Sequence, residues 1–266
     1  MTRIGEVFGK LESNGRKAFV AYICGGDPTL EMTKNIVLAF EDSGVDIVEL
    51  GVPFSDPLAD GVVNQRASER ALRNNVSLSN ILDLVKEIRM KSEIPIVLFT
   101  YINPIMKFGI DKFSVAAKES GVDGVLALDY PPEEWADYKQ KMDEAGVDTI
   151  SLIAPTSSNE RMDKITKGAS GFVYYVSRTG VTGEQDSIEA GVKPMVEKIK
   201  SKTDVPVVVG FGISTPEQVK LISQFADGIV VGSAIVRKIE EFGSSPDLVK
   251  NVSDFTAHLT APLKKG

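Results

Sequence analysis

The sequence predicts an α/β fold: a single-domain (β/α)8 TIM barrel built from residues 1–266, with extra short helices at its N- and C-terminal ends. Three observations carry that prediction. Short runs rich in Val, Ile and Leu alternate with amphipathic segments of helical length, and such strand–helix units number eight. The apolar runs are almost uninterrupted, as strands of a parallel sheet are when both faces are buried. A doubly wound open sheet shares this alternation, but no G-x-G-x-x-G turn follows the first strand. No linker or low-complexity tract divides the 266 residues, a length that suits one barrel of roughly 250.

The opening M-T-R-I-G-E-V-F-G-K-L lacks a long apolar run and mixes acids with bases, so it reads as a short amphipathic helix and not a signal peptide. Residues 18–24, A-F-V-A-Y-I-C, form the first strand, closed by Gly25, Gly26, Asp27 and Pro28; Thr29 caps a helix over 30–43. Gly44-Val45-Asp46 leads into the second strand, 47–50. That unit recurs. Gly121-Val122-Asp123 precedes a strand at 124–128, Gly146-Val147-Asp148 one at 149–153, and Phe225-Ala226-Asp227 one at 228–231. The glycine suits a helix C-terminus, where the backbone turns left-handed. Further strands at 94–100, 171–176 and 205–210 follow helices at 79–90, 159–167 and 190–200. Residues 246–259 read as a last helix covering the barrel.

Composition excludes several classes. A net charge of −7 argues against a nucleic-acid surface, while a local anion site stays compatible with it. One cysteine, Cys24, leaves no intrachain disulfide and points to a reducing, cytoplasmic setting. No apolar run approaches the roughly eighteen residues that span a bilayer. No metal-ligand spacing occurs, and the single histidine, His258, falls in the last helix. The expectation is therefore no metal.

In a barrel the site lies at the C-terminal ends of the strands. The stretch over 48–61, V-E-L-G-V-P-F-S-D-P-L-A-D-G, sits there with three carboxylates and two stiffening prolines, Pro53 and Pro57. Strand alternation puts Val48 and Leu50 toward the helices and Ile47 and Glu49 toward the interior. A carboxyl at the mouth of an apolar barrel is desolvated, which favours its neutral form and makes it a proton shuttle near neutral pH. Position alone fits equally well a structural Glu49 that pairs with a buried base or caps a helix. Asp60, on spacing alone, reads as a cap for the helix over 62–73, and Asp56 has the same ambiguity. Two carboxylates in unlike environments can also divide acid and base roles.

Glycines mark an anion site. Gly180-Val181-Thr182-Gly183 follows the sixth strand; Gly210-Phe211-Gly212 follows the seventh and leads into a helix; Gly232-Ser233 follows the eighth and opens another. Backbone N–H groups at a helix N-terminus attract anions, and the loops after strands seven and eight are a common barrel phosphate site. Tyr22, Phe99, Leu126, Leu128 and Phe211 lie at strand ends. They are core by default, and walls for a flat aromatic ligand otherwise. Arg70, Arg73 and Lys91 read as solvated helix charges, and Cys24 as a small buried side chain.

Taken together, E-L-G-V-P-F-S-D-P-L-A-D-G at 49–61, S-R-T-G-V-T-G at 177–183 and G-F-G-I-S at 210–214 resemble the tryptophan synthase α-subunit family. G-D-P at 26–28, Y-x-N-P at 101–104 and G-S-A-I-V at 232–236 extend the resemblance over essentially the whole length. The resemblance implies a lyase that cleaves indole-3-glycerol phosphate to indole and D-glyceraldehyde 3-phosphate by a retro-aldol reaction. Indole would then pass to a β subunit for L-tryptophan synthesis. By motif, Glu49 is the acid–base carboxylate, Asp60 hydrogen-bonds the ring N–H, and the site tyrosine is Tyr174 and not Tyr175. Tyr22, Phe99, Leu126, Thr182 and Phe211 line the substrate, with Thr182 in a closing loop. Gly183, Gly212, Gly232 and Ser233 cradle the phosphate.

Pro53, Asp56, Asn103 and Pro131 fall in loops that face the β subunit of an α2β2 tetramer. The implied cofactor, pyridoxal phosphate, belongs to that partner, with none in this chain. One departure stands out: the family commonly has proline and an apolar side chain where this chain has Val62 and Asn64. Two other readings come from different classes: a subunit that mainly binds and regulates its partner, and another phosphosugar barrel enzyme. Of the latter, indole glycerol phosphate synthase needs a lysine acid, and no lysine occupies a strand end in the expected place.

Overall fold

The computed structural model describes residues 2–177, 185–210 and 212–264. Among them are nine parallel strand segments: β1 (Ala18–Cys24), β2 (Ile47–Gly51), β3 (Ile96–Thr100), β4 (Gly124–Ala127), β5 (Asp148–Thr149), β6 (Ser151–Ile153), β7 (Val173–Val176), β8 (Val207–Gly210) and β9 (Gly228–Val231). The sheet order is β5-β4-β3-β2-β1-β9-β8-β7-β6. Its two ends are consecutive pieces of one strand, interrupted only at Ile150. The Ile150 N–H still donates to the Val125 carbonyl at 3.0 Å, so the ladder continues through the break. The ring is thus an eight-stranded barrel, and β1 closes it between β2 and β9.

Three strands start later than the sequence pattern predicts, for local reasons. Pro95 and Pro206 have no N–H for the ladder, so β3 and β8 begin after them. Gly171 sits at φ +69°, outside extended geometry, and β7 begins at Val173. The helix before β8 begins at Gln185, five residues earlier than the pattern suggests, and carries Pro194 within it.

The recurring Gly–Val–Asp unit has a physical basis. Gly44, Gly121 and Gly146 end their helices in the left-handed region, at φ 85°, 82° and 73°. The aspartates that follow pin neighbouring strands. Asp46 accepts the Phe19 N–H at 2.9 Å, Asp123 that of Ile96 at 2.8 Å, and Asp227 that of Val207 at 3.0 Å. Helix N-termini are capped by Thr29, Ser77, Ser158 and Thr215. The N-terminal helix α1 (Arg3–Ser13) plugs the bottom of the barrel: Ile4 is fully buried, and the Phe8 ring lies 6.1 Å from that of Phe172.

Strand register fixes which residues face inward. Tyr22 pairs with Glu49, Glu49 with Val97 and Phe99 with Leu126; Tyr174 pairs with Val208. These share the interior side, while Val48 and Leu50 face the helices. The inward residues nearest the strand C-termini form the floor of the site.

Candidate active site

A cavity of about 550 Å³ opens at the C-terminal end of the barrel. One side holds Glu49 and Asp60. Another is formed by Gly210, Gly212, Gly232 and Ser233, and Tyr22, Phe99, Leu128, Leu152 and Tyr174 contribute walls between. Tyr22 and Phe99 meet edge to face with centroids 4.8 Å apart, which fixes both rings.

Glu49 is fully buried, and neither carboxylate oxygen has a hydrogen-bond partner among the described residues. Among the described residues no base pairs with it and it caps no helix. Burial alone pushes its carboxyl up to about 8, so the group is protonated at neutral pH and close to exchanging. The phenols of Tyr22 and Tyr174 are held well above the usual range, first by burial; Cys24, Asp60 and Glu49 add to this at Tyr22, and Glu49 and Asp60 at Tyr174.

Asp60 does not cap the following helix. Gly61 takes the N-cap position of α2 (Val62–Arg73) and makes no side-chain cap. The Asp60 carboxylate accepts the Tyr101 hydroxyl at 2.9 Å, and that hydroxyl in turn accepts the Ala59 N–H at 3.0 Å. Burial raises the Asp60 carboxyl, while hydrogen bonds from Tyr101 and Asn64 pull it back toward the ionised form. The two acids therefore sit in unlike environments, one bare and one hydrogen-bonded.

The glycine corner has geometry that only glycine supplies at two points. Gly212 adopts φ +77°. At Gly210 a Cβ would lie 2.5 Å from the Tyr174 hydroxyl, so that ring rests directly on the backbone. Gly232 and Ser233 open α3 (Ser233–Phe242), whose N-terminus faces the cavity. Arg237, one turn into that helix, is the only basic side chain among the described lining residues.

Of the other residues singled out in the sequence, Leu126 faces inward but lies one step below Leu128 and does not line the cavity. Thr182, Gly183 and Phe211 lie outside the described residues. Pro53 and Asn103 line a separate groove of about 450 Å³ with Phe54 and Pro104, on the loop after β2 and the short helix Ile102–Phe108 after β3; Asp56 is exposed, and Pro131 lies half-buried beyond β4. Arg70 is not a solvated charge: it grips the buried Asp27 through two hydrogen bonds of 2.8 Å and also pairs with Glu240. Cys24 is buried with its thiol pushed up to about 12, an inert side chain. Among the described residues, no group of three His, Cys, Asp or Glu side chains is placed to hold a metal ion.

Sequence reasoning gave no site role to Tyr101 or Arg237. Tyr101 reaches Asp60 across 41 positions of sequence, a contact that local spacing does not reveal. Arg237 had a signal that went unused, an arginine one helical turn after a glycine–serine corner.

A sequence model of the family described as tryptophan synthase alpha chain matches residues 8–263. The chain belongs to that family. It is 49% identical to the tryptophan synthase alpha chain of Geobacter sulfurreducens over 97% of this chain and 98% of that one. It is 45% identical to that of Solibacter usitatus over 97% of each. The crystal structure of tryptophan synthase subunit alpha from Legionella pneumophila superposes with a TM-score of 0.92 at 35% identity, covering 100% of both chains. A chain of tryptophan synthase from M. tuberculosis does so with 0.89 at 33% identity, again over 100% of both. Membership of the tryptophan synthase alpha chain family agrees with the barrel and extends over residues 8–263.

Proposed function

We propose that this chain cleaves indole-3-glycerol phosphate to indole and D-glyceraldehyde 3-phosphate, and hands indole to a β subunit for L-tryptophan synthesis. Family membership supports the reaction class. The observation that carries the assignment of roles is Glu49, a fully buried carboxyl with no hydrogen-bond partner among the described residues, at a cavity that a glycine corner also lines.

The chemistry follows from those two ends. The phosphate binds the N–H groups around Gly212, Gly232 and Ser233, with Arg237 adding charge and Gly183 contributing from the preceding loop. Tyr22, Phe99 and Tyr174 hold the ring, with Thr182 and Phe211 completing the enclosure. The protonated Glu49 gives its proton to ring carbon C3. Positive charge then develops on the ring nitrogen, where the Asp60 carboxylate stabilises it through the ring N–H. The glycerol hydroxyl next to the bond returns a proton to Glu49, the carbon–carbon bond breaks, and its electron pair restores the aromatic ring. Glu49 ends as it began, so the proton count balances within one residue.

The reading extends to the assembly. The loop after β2 carries Pro53 and Asp56, the short helix after β3 carries Asn103, and Leu58 on the same rim is 91% exposed. An exposed apolar side chain there supports docking of a β chain, in an α2β2 tetramer whose pyridoxal phosphate belongs to that partner. The proposed setting is the cytoplasm. The test is indole release from indole-3-glycerol phosphate by the parent and by Glu49→Gln. The variant should fold normally and lose at least a thousandfold in kcat, in line with loss of a proton-transfer group; a variant that keeps parental turnover overturns the assignment.

A further inference from the structure

Asn64 lies on the first turn of α2 and lines the cavity beside Asp60. Its side-chain amide has two ends with different fates. The NH2 end donates to Asp60 and helps hold that carboxylate ionised. The Oδ1 end is shielded from solvent and has no hydrogen-bond partner among the described residues. The amide cannot be turned round, because Oδ1 would then face a carboxylate oxygen and both acceptors would repel. A shielded carbonyl oxygen without a donor is costly, and such groups are commonly satisfied by what binds there.

We infer that Asn64 is a bridging residue, which orients Asp60 through its NH2 and offers Oδ1 as an acceptor to a hydrogen-bond donor on the bound substrate. The inference rests on the proposed lyase reading. The substrate donors within its chemistry are the ring N–H and the glycerol hydroxyls. The contribution of Asn64 appears in both binding and selectivity. A site that holds a shielded acceptor discriminates against ligands that lack the donor.

The test compares the parent with Asn64→Leu, which matches the volume and removes both ends of the bridge, and with Asn64→Gln, which keeps the amide. Two quantities are read. The first is KM for indole-3-glycerol phosphate, expected to rise about tenfold in the Leu variant, the value of one lost hydrogen bond, and to recover in part in the Gln variant. The second is the ionisation of Asp60 in the ligand-free protein, followed by its carboxyl NMR signal, which moves to higher pH in the Leu variant. An analogue with sulfur in place of the ring N–H, read by calorimetry as a ligand, separates the donors. If the Kd difference between parent and Leu variant vanishes with it, the donor is the ring nitrogen; if it persists, the donor is a hydroxyl. A Leu variant whose KM stays within twofold of the parent, or whose Asp60 titrates as in the parent, overturns the bridge. A parent that releases no indole defeats the lyase reading instead, and the Asp60 titration still decides whether Asn64 holds that carboxylate.

Discussion

Glu49 sets the energetics at the residue scale. A carboxyl with no partner and no exposure costs stability whenever it ionises. Its folded-state value of about 8 lies above the 4.5 of the free side chain, so the folded protein binds this proton more tightly than the unfolded chain. Its stabilising effect is complete below about pH 4.5 and is lost as pH rises through 8. Glu49→Gln cannot ionise and escapes that loss. Urea denaturation should find the variant more stable than the parent at pH 8.5 by a few kcal/mol, roughly the cost of burying a charge, with the gap closing at pH 5. A gap that does not change with pH contradicts a buried, ionisable Glu49. The acid was legible in the sequence because V-E-L breaks an apolar strand with a charge. Asp60 was legible as a site candidate but not in its environment. Its partner, Tyr101, lies just after the neighbouring strand, and the pairing of β2 with β3 brings the two together.

At the scale of elements, β8 and β9 matter for the corners that follow them. Gly212 at φ +77° holds a conformation that costs an L-residue about 1–2 kcal/mol. Gly212→Ala is expected to weaken binding of D-glyceraldehyde 3-phosphate about tenfold or more, read by calorimetry, because the strained backbone shifts its N–H groups away from the phosphate. Gly61→Ala is the matched control: a Cβ there meets nothing within 4 Å, and affinity should stay within twofold. Equal losses in both would remove the corner's special role. Strand identities were readable from apolar runs, and the aspartates of the Gly–Val–Asp unit were readable as a pattern. Their function was not, because Asp46, Asp123 and Asp227 accept an N–H from a strand distant in sequence, and Asp148 accepts the Thr2 hydroxyl. Strand starts at Pro95 and Pro206 were overrun because hydrophobicity does not register a missing donor.

At the scale of the whole molecule, eight strands close into one ring and α1 seals the bottom, so the mouth is the open end of the barrel. That mouth is rimmed by exposed apolar side chains, Leu58 at 91% and Val62 at 62%. Leu58 is not among the residues that line the cavity, so its exposure suits a partner surface better than a substrate contact. Leu58→Asp should weaken binding to a tryptophan synthase β chain at least tenfold by surface resonance, while the isolated chain keeps its basal indole release. Unchanged binding would move the interface elsewhere on the barrel. The count of eight units made the architecture legible; the split of one strand at Ile150 was not, since an apolar residue between Thr149 and Ser151 fits strand alternation and marks no break.

The measurement that bears most directly on the central claim is a crystal structure of this chain with an indole-3-alkyl phosphate bound. The ring nitrogen should lie within hydrogen-bond distance of the Asp60 carboxylate, with Glu49 over ring carbon C3 and the phosphate on the N–H groups of Gly212, Gly232 and Ser233. A ligand bound in the reverse sense, or outside the cavity between those acids and those glycines, would contradict the account.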